Sequence, residues 1–242
     1  MNSTVYESTA QLVTRLADRI VDLANSCIQQ AQAFHLALAG GSTPASLYRR
    51  LATADPGPDW SKVYIYFGDE RYVPHTSPQS NYRMAYTTLL QHVPIPAQNI
   101  FAVDTGSENP RQAAQDYEHT IRRQVSRTQH GIPSLDLVLL GVGEDGHTAS
   151  LFPGSPALAV TDRLVTTSHS AQTGTERITF TLPLLNAAQH IFIIATGEKK
   201  RAIIDEIQRL ENAGVKKYPV QLVCGGERLE WHLDEAAAAG GA

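Results

Sequence analysis

The stretch LDLVLLGVGEDGHTASLFPG, residues 135–154, decides the fold class and raises the first functional question. It begins with a run, 135–140, that is apolar on both faces, as in a strand buried inside a parallel sheet. The run ends in glycines spaced G-x-G-x-x-G, which is the spacing of a dinucleotide-binding turn. Glu144 and Asp145 lie between these glycines, where they would repel a pyrophosphate, and the prolines of 153–156 cut short the helix that should follow. The sequence therefore favours a different use of this loop.

A catalytic use fits the composition of the loop better. Gly146 is flexible enough to direct the His147 imidazole away from the strand end, and histidine is the side chain best suited to general-base work near neutral pH. Asp145 can accept a hydrogen bond from the imidazole or stabilise its cationic form. Among the nine histidines of the chain, only His147 combines a strand end, a glycine turn and adjacent carboxylates. We assign His147 and Asp145 as candidate catalytic residues, and the sequence leaves open whether Glu144 or Asp145 faces the ring.

Outward from this stretch, predicted strands and helices alternate along the chain. Residues 8–31 repeat apolar side chains every three or four positions behind a Ser8 cap, which predicts a helix. The alternation predicts an α/β fold, a largely parallel sheet with helices on both faces, in one domain over 1–242 with a frayed tail over 236–242. Further strands are predicted in 34–38, 63–67, 100–103, 135–140, two parts of 176–195, 221–226 and 228–233, and further helices in 42–51, 81–92, 110–129, 182–188 and 198–213.

Polar loops follow four of these strands. Ligands of parallel α/β sheets bind at the carboxyl ends of the strands, so we expect these loops to converge on one crevice. Two glycines, one of them Gly41, let the backbone approach a ligand, and the amides of Ser42 and Thr43 at a helix start would face an anion. The same arrangement is also typical of an ordinary capped turn. The four loops are GGST (40–43), GDER (68–71), GEDGH (143–147) and TGEKK (196–200).

The charged residues of the other loops allow two interpretations. Asp69 and Arg71 at a strand end could form a solvated ion-pair cluster, and Arg177 could be a surface arginine. Lys199 and Lys200 lie at a predicted helix start, where positive charge is unfavourable, and this conflict indicates an anionic ligand nearby, although exposed lysines are the ordinary case.

Composition excludes several classes of protein. The net charge is −4 and the chain has no basic stripe, which argues against nucleic acid as a partner. Its apolar runs are shorter than the roughly 20 residues of a membrane helix, and we expect a cytoplasmic protein with no membrane partner. Cys27 and Cys224 are isolated, and no second His or Cys cluster joins Asp145 and His147, so we expect no metal. A hydrolase with Ser42 as nucleophile lacks a G-x-S-x-G elbow.

Taken together and in order, five segments resemble the 6-phosphogluconolactonase family over almost the whole chain. The resemblance implies a Rossmann-like sheet with a small additional lobe, the fold of glucosamine-6-phosphate deaminase, and hydrolysis of 6-phospho-D-glucono-1,5-lactone, a small sugar phosphate. It implies neither a metal nor another cofactor. The segments are AGGSTPASLY (39–48), FGDERYVP (67–74) with SNYRMA (80–85), LDLVLLGVGEDGHTASLFPG (135–154), RITFTLPLLNAA (177–188) and ATGEKK (195–200).

The same resemblance assigns roles by position. It implies that His147 accepts the proton of the attacking water with Asp145 beside it, and that Arg71 and Lys200 are cationic substrate contacts. Gly41, Ser42 and Thr43 match the family's phosphate loop. Asp69 and Arg177 match pattern positions as substrate-binding residues without a defined role.

Two alternative functions remain open: a glucosamine-6-phosphate deaminase and a non-catalytic sugar-phosphate sensor. In glucosamine-6-phosphate deaminases the loop after Gly-His typically continues into a run that contains a glutamate, whereas here the run is 150–154, SLFPG. Sugar-phosphate sensors on this fold usually carry a DNA-binding domain, and no helix-turn-helix pattern precedes residue 30. The sequence leaves the oligomeric state open, as monomer or dimer.

Overall fold

A computed structural model describes residues 1–171, 173–225 and 228–238 of the chain. Six strands form a central sheet in which every neighbouring pair is parallel, in the order β1-β11-β10-β7-β2-β3. The prediction of a largely parallel sheet is confirmed. The strands of the chain are β1 (Ser3–Tyr6), β2 (Phe34–Leu38), β3 (Val63–Phe67), β4 (Asp69–Arg71), β5 (Thr128–Gln129), β6 (Ile132–Pro133), β7 (Leu137–Gly141), β8 (Val165–Ser170), β9 (Thr175–Phe180), β10 (His190–Ala195) and β11 (Leu229–Asp234).

Helices cover both faces of the central sheet, as predicted. Alternate residues of β7 show this directly, because Leu137 and Leu139 pack into one hydrophobic cluster while Val138 and Leu140 pack into another. The first cluster holds apolar side chains from α1 and α2, and the second holds those from α4 and α6. The helices are α1 (Thr9–Ala31), α2 (Ser42–Ala52), α3 (Asn81–Thr88), α4 (Pro110–Gln124), α5 (Leu182–Asn186) and α6 (Arg201–Asn212).

A second, antiparallel sheet forms the small additional lobe. Its strand order is β4-β9-β8, and it follows directly from the central sheet because only Gly68 separates β3 from β4. The Glu118 carboxylate on α4 accepts the amide of Leu164 at 2.8 Å and so ties this helix to the start of β8. The lobe matters for function because β4 and β9 carry charged residues beside the carboxyl edge of the central sheet.

Several predicted boundaries are wrong, for local physical reasons. Residues 100–103 form no strand, since Ile100 makes only a single bridge to Ile65. The predicted strand 221–226 begins inside a 3₁₀ helix, Pro219–Leu222, and its residue 226 lies outside the described residues. The helix predicted over 110–129 ends at Gln124, because a hairpin of β5 and β6 follows with two positive-φ residues at its turn.

The C-terminal tail is ordered further than predicted. Residues 236–238 form a turn in which the Ala237 amide donates to Asp234 Oδ1 at 2.9 Å, and Ala237 and Ala238 are buried. The rest of the predicted frayed tail, 239–242, lies outside the described residues. No helix in the described ranges is long and apolar enough to cross a membrane.

Acid stability is expected to depend on His232, which lies on β11 and is 1% exposed. Burial, assisted by the nearby positive charge of Arg19, lowers the pKa of His232 to about 4. In the unfolded chain a histidine has a pKa of about 6.5. Between roughly pH 6.5 and 4 the unfolded chain therefore binds a proton at His232 that the folded chain does not bind. The free energy of unfolding should therefore fall as the pH drops from roughly 6.5 to 4, by about 3 kcal/mol in total.

Urea denaturation at several pH values tests this expectation. His232→Gln cannot titrate and keeps a polar group near the Tyr6 hydroxyl, which lies 3.0 Å from His232 Nδ1. The fall in unfolding free energy between pH 7 and pH 4 should be smaller in the variant than in the unmodified chain. An identical fall in both proteins would contradict the assignment of this acid sensitivity to His232.

Candidate active site

One cleft collects the four polar loops predicted to converge. The loops follow β2, β3, β7 and β10, which are neighbours in the parallel sheet, so their carboxyl ends open onto the same edge. The cleft has a volume of about 410 Å³. Of the nine site residues expected from the sequence, eight line it: Gly41, Ser42, Thr43, Asp69, Arg71, His147, Arg177 and Lys200.

The ninth residue, Asp145, lies behind the histidine. Its Oδ1 is 2.5 Å from His147 Nδ1 and also accepts the His147 backbone amide at 3.1 Å. Because of these contacts, Asp145 is the carboxylate that faces the imidazole, whereas Glu144 is exposed. Asp145 also borders an adjoining groove. With Nδ1 occupied by this contact, Nε2 is the nitrogen that remains for a ligand in the cleft. Phe152 packs on the ring with centroids 4.8 Å apart.

The carboxylate of this pair is ionised near neutral pH. Partial burial alone would raise the pKa of Asp145, but the hydrogen bonds and positive charge that His147 offers outweigh it, and the pKa is lowered from its usual value. An ionised carboxylate on Nδ1 fixes the orientation of the ring and stabilises the imidazolium that forms when Nε2 takes a proton. A pair with this geometry can serve as a base with its orienting group.

Glycine is required at two positions of this turn. A Cβ at Gly143 would lie 2.1 Å from His147 Nδ1, so a side chain there would displace the imidazole. Gly146 has a φ of 77°, which favours glycine, and a Cβ there would lie 2.4 Å from the Tyr218 ring. Two of the three glycines that resemble a dinucleotide fingerprint, Gly143 and Gly146, thus serve the packing of the histidine and its turn.

The loop after β2 presents a helix N-terminus to the cleft. Gly41, with a φ of 112°, is the N-cap of α2, and no side chain caps the first turn. The free amides of such a turn, together with the helix dipole, attract an anion. Thr43 Oγ1 lies 2.6 Å from Thr196 Oγ1, which joins this loop to the loop after β10.

Two arginines of the small lobe lie side by side at the cleft. Arg71 on β4 and Arg177 on β9 are paired directly across the antiparallel ladder, and the Nε atoms of both are buried without a hydrogen-bond partner among the described residues. Burial, and secondarily the charge of Arg71, lowers the pKa of Arg177. Like charges placed opposite each other are destabilising, so this arrangement indicates an anionic ligand that sits between them. The alternative of a plain surface arginine is wrong for Arg177, which is 8% exposed.

Lys200 and its neighbour Lys199 differ in their surroundings. Lys200 ends a 3₁₀ turn, Glu198–Lys200, directly before α6 and lines the cleft, whereas Lys199 is exposed. The cleft therefore has three cationic side chains in a chain whose net charge is negative.

Asp69 is the carboxylate that lines the cleft. Its Oδ2 accepts the Ser150 hydroxyl at 2.6 Å, and the Asn81 amide group donates to its carbonyl at 2.9 Å. Gly40 is required beside this amide, because a Cβ there would lie 2.2 Å from Asn81 Oδ1. These contacts hold Asp69 at the cleft wall and bring two polar residues, Asn81 and Ser150, into the site.

Sequence analysis missed several of these residues. Asn81, Ser150, Phe152 and Thr196 all line the cleft. Glu70 has a supporting role, because its buried carboxylate accepts the amides of Asn81 and Tyr82 at 2.7 Å each and so anchors the start of α3. The Ser-Asn helix start in SNYRMA was the available signal for Asn81, whereas the others required the tertiary structure.

No group of three or more His, Cys, Asp or Glu side chains among residues 1–171, 173–225 and 228–238 is arranged to hold a metal ion.

Comparison with known proteins identifies the family of the chain. A sequence model described as glucosamine-6-phosphate isomerases/6-phosphogluconolactonase matches residues 7–231. The chain is 41% identical to a 6-phosphogluconolactonase of a Nostoc species, in an alignment that covers 97% of this chain and 96% of the relative. It is 42% identical to a 6-phosphogluconolactonase of a Synechocystis species, in an alignment that covers 84% of this chain and 82% of the relative. It superposes on a 6-phosphogluconolactonase structure from Trypanosoma cruzi with a TM-score of 0.85 at 30% identity, covering 98% of this chain and 95% of the other. The chain belongs to the family of glucosamine-6-phosphate isomerases and 6-phosphogluconolactonases.

Proposed function

We propose that the chain is a 6-phosphogluconolactonase, which hydrolyses 6-phospho-D-glucono-1,5-lactone to 6-phospho-D-gluconate. One observation carries the proposal: a single cleft is lined by His147, whose Nδ1 contacts Asp145, and also by three cations and an uncapped helix N-terminus. The first group suits activation of water, and the second suits a phosphate. The names of the curated relatives and of the superposed structure support the same activity.

In the proposed reaction His147 acts as the general base. Nε2 takes a proton from water while the water oxygen bonds to the lactone carbonyl carbon, giving a tetrahedral intermediate. When this intermediate collapses, the bond from that carbon to the ring oxygen breaks, and the ring oxygen receives the proton from the imidazolium. Asp145 holds the ring through Nδ1 at 2.5 Å throughout and stabilises its cationic form. Water is the nucleophile in these steps, so no covalent bond between substrate and enzyme is formed.

The phosphate is proposed to bind to the cationic side chains of the same cleft. Arg71, Arg177 and Lys200 offer charge-assisted hydrogen bonds, and the amides of Ser42 and Thr43 add the helix N-terminus of α2. A phosphate held there supplies binding energy, remote from the reacting carbonyl, that orients the lactone for attack. Asp69, held by Ser150 and Asn81, is the wall carboxylate proposed to accept a sugar hydroxyl.

A glucosamine-6-phosphate isomerase that releases ammonia is the second candidate, because the family includes it and the phosphate site would serve both reactions. The segment after His147 speaks against it. The family's deaminase loop places a glutamate in this run, whereas here Ser150 is buried and donates to Asp69, and Phe152 packs on the imidazole.

We expect the purified chain to accelerate hydrolysis of freshly prepared 6-phosphogluconolactone beyond its spontaneous rate, which a pH-stat measures directly. The rate should persist after treatment with EDTA, because the proposed steps use only side chains and water. The same preparation should release no ammonia from glucosamine-6-phosphate. Steady ammonia release with no lactone hydrolysis would favour the glucosamine-6-phosphate isomerase instead. Loss of lactonase activity with EDTA, followed by recovery of that activity with zinc, would contradict the metal-free mechanism.

A further inference from the structure

The segment between α6 and β11 packs on the back of the catalytic turn. The Val220 amide donates to Gly146 O at 3.1 Å, which joins the two loops through their backbones. The Tyr218 ring covers Gly146 so closely that a Cβ at that position would meet Cδ1, Cγ and Cβ of the tyrosine at 2.4, 2.5 and 2.7 Å. The ring thus occupies the space that a side chain at position 146 would need, directly between Asp145 and His147 in the chain.

Several contacts fix the Tyr218 side chain in this position. Its hydroxyl donates to Glu206 Oε2 at 2.5 Å, and Lys217 Nζ donates to Glu206 Oε1 at 2.8 Å. Lys217 Nζ also lies 5.0 Å from the centroid of the tyrosine ring. The buried Gln221 accepts the backbone amides of Tyr218 and Lys217 at 3.0 and 2.9 Å. The ring is held from the α6 side by a carboxylate and from its own loop by Gln221.

Tyr218 does not line the cleft that holds the substrate-facing residues. Its influence on a ligand must therefore pass through the backbone of the turn. The imidazole has two lateral supports, Phe152 on its ring and Asp145 on Nδ1, and both depend on the position of that turn. A general base must lie within hydrogen-bond reach of the proton it takes, and a misplacement of about 1 Å can lower a rate by about 100-fold.

We infer that Tyr218 is a positioning residue for the His147–Asp145 pair. Its ring, held in place by the hydrogen bond to Glu206, fixes the position of the turn relative to the cleft. The inference rests on the proposed lactonase function, which it deepens. The ring surface is the operative part, because it is the ring carbons that meet Gly146, whereas the hydroxyl only braces them.

Comparison of Tyr218→Ala with Tyr218→Phe and a matched control tests the inference. Tyr64→Ala is the control, because Tyr64 is also partly buried but stacks on His35 with centroids 4.9 Å apart and does not line the cleft. Tyr218→Ala should lower kcat by about 10- to 100-fold with little change in KM, since the phosphate contacts are elsewhere. Tyr218→Phe should restore most of kcat, and Tyr64→Ala should leave kcat unchanged while lowering the melting temperature.

A spectroscopic readout separates this inference from the proposed activity. The NMR chemical shifts of the His147 imidazole at one fixed pH, assigned by comparison with His147→Gln, should change in Tyr218→Ala, because a displaced turn alters the contact between Nδ1 and Asp145. They should stay at the wild-type values in Tyr64→Ala. This measurement needs no substrate, so it remains decisive if the wild-type chain fails to hydrolyse the lactone.

Each alternative result overturns the inference. An unchanged kcat and unchanged imidazole chemical shifts in a folded Tyr218→Ala would remove the positioning role. A raised KM with normal kcat would make Tyr218 part of substrate binding. If Tyr218→Ala unfolds, Tyr218→Leu keeps apolar bulk without a flat ring, and a wild-type kcat with wild-type imidazole chemical shifts in that variant would equally overturn the inference.

Discussion

Replacement of His147 by alanine is expected to lower kcat for lactone hydrolysis by about 10²–10⁴-fold, the usual contribution of a general base. The expectation rests on geometry, because His147 is the histidine that lines the cleft with Nδ1 on a carboxylate and Nε2 available for water. The measurement is the lactonase rate after subtraction of spontaneous hydrolysis. A folded variant with a near wild-type rate would refute the assignment.

The controls for this variant use stability and a second histidine. The His147 side chain is 29% exposed and sits on a loop, so its loss should change the melting temperature little. His92, exposed in the 3₁₀ turn Leu90–His92, gives a matched variant, His92→Ala, that should keep the full rate. If His147→Ala unfolds while His92→Ala does not, His147 has a structural role instead.

Asp145→Asn tests the partner of the proposed base. The Asp145 carboxylate is charged near neutral pH, because its contacts with His147 lower its pKa against the effect of burial. The variant removes this charge from Nδ1, so kcat should fall because the ring is held less firmly and the cationic form of the ring loses its partner. Steady-state kinetics on the lactone measure the change, and a folded variant with a wild-type kcat would contradict the proposed pairing.

Loss of a phosphate contact should affect the phosphorylated substrate selectively. A charge-assisted hydrogen bond is worth about 1.5–3 kcal/mol, so Arg177→Ala, Arg71→Ala and Lys200→Ala should each raise KM for the phosphorylated lactone by roughly 10–150-fold. Unphosphorylated gluconolactone should be a poor substrate whose kinetics these variants hardly alter. Steady-state kinetics on both lactones measure the difference.

The chain supplies a close control for this experiment. Lys199→Ala removes an exposed charge next to Lys200 and should leave KM unchanged. Arg177→Ala should also remain folded or become more stable, because it relieves the opposition of two arginines across β4 and β9. Equal catalytic efficiency of the unmodified chain on the two lactones would remove the phosphate site from the proposal.

Local sequence signals were sufficient for much of the fold. The Ser8 cap and the apolar spacing behind it predicted α1, and the Ser8 hydroxyl does accept the Gln11 amide. Errors fell where propensity competes with tertiary context: Ile100 makes only a single bridge, and Gln221 and Leu222 end a 3₁₀ helix. The strand β8, VTTSHS, was missed because its side chains are mostly polar and its partner is an antiparallel strand of the small lobe.

By itself the sequence determined which chemical groups the candidate site contains and at which edge of the sheet they lie. Glycine turns, helix starts and charged groups sit directly after apolar strands, and a parallel sheet aligns the ends of those strands, so the cleft and the Asp145–His147 turn could be predicted from short-range order. Only the tertiary structure decided which side chains oppose each other. The pairing of Arg71 with Arg177 depends on the register of β4 and β9. Asp69 is held by Ser150 and Asn81, which come from other segments of the chain. Tyr218 contacts Gly146 because the segment after α6 returns to the turn. Such contacts join residues far apart in the chain, and no local periodicity or propensity encodes them.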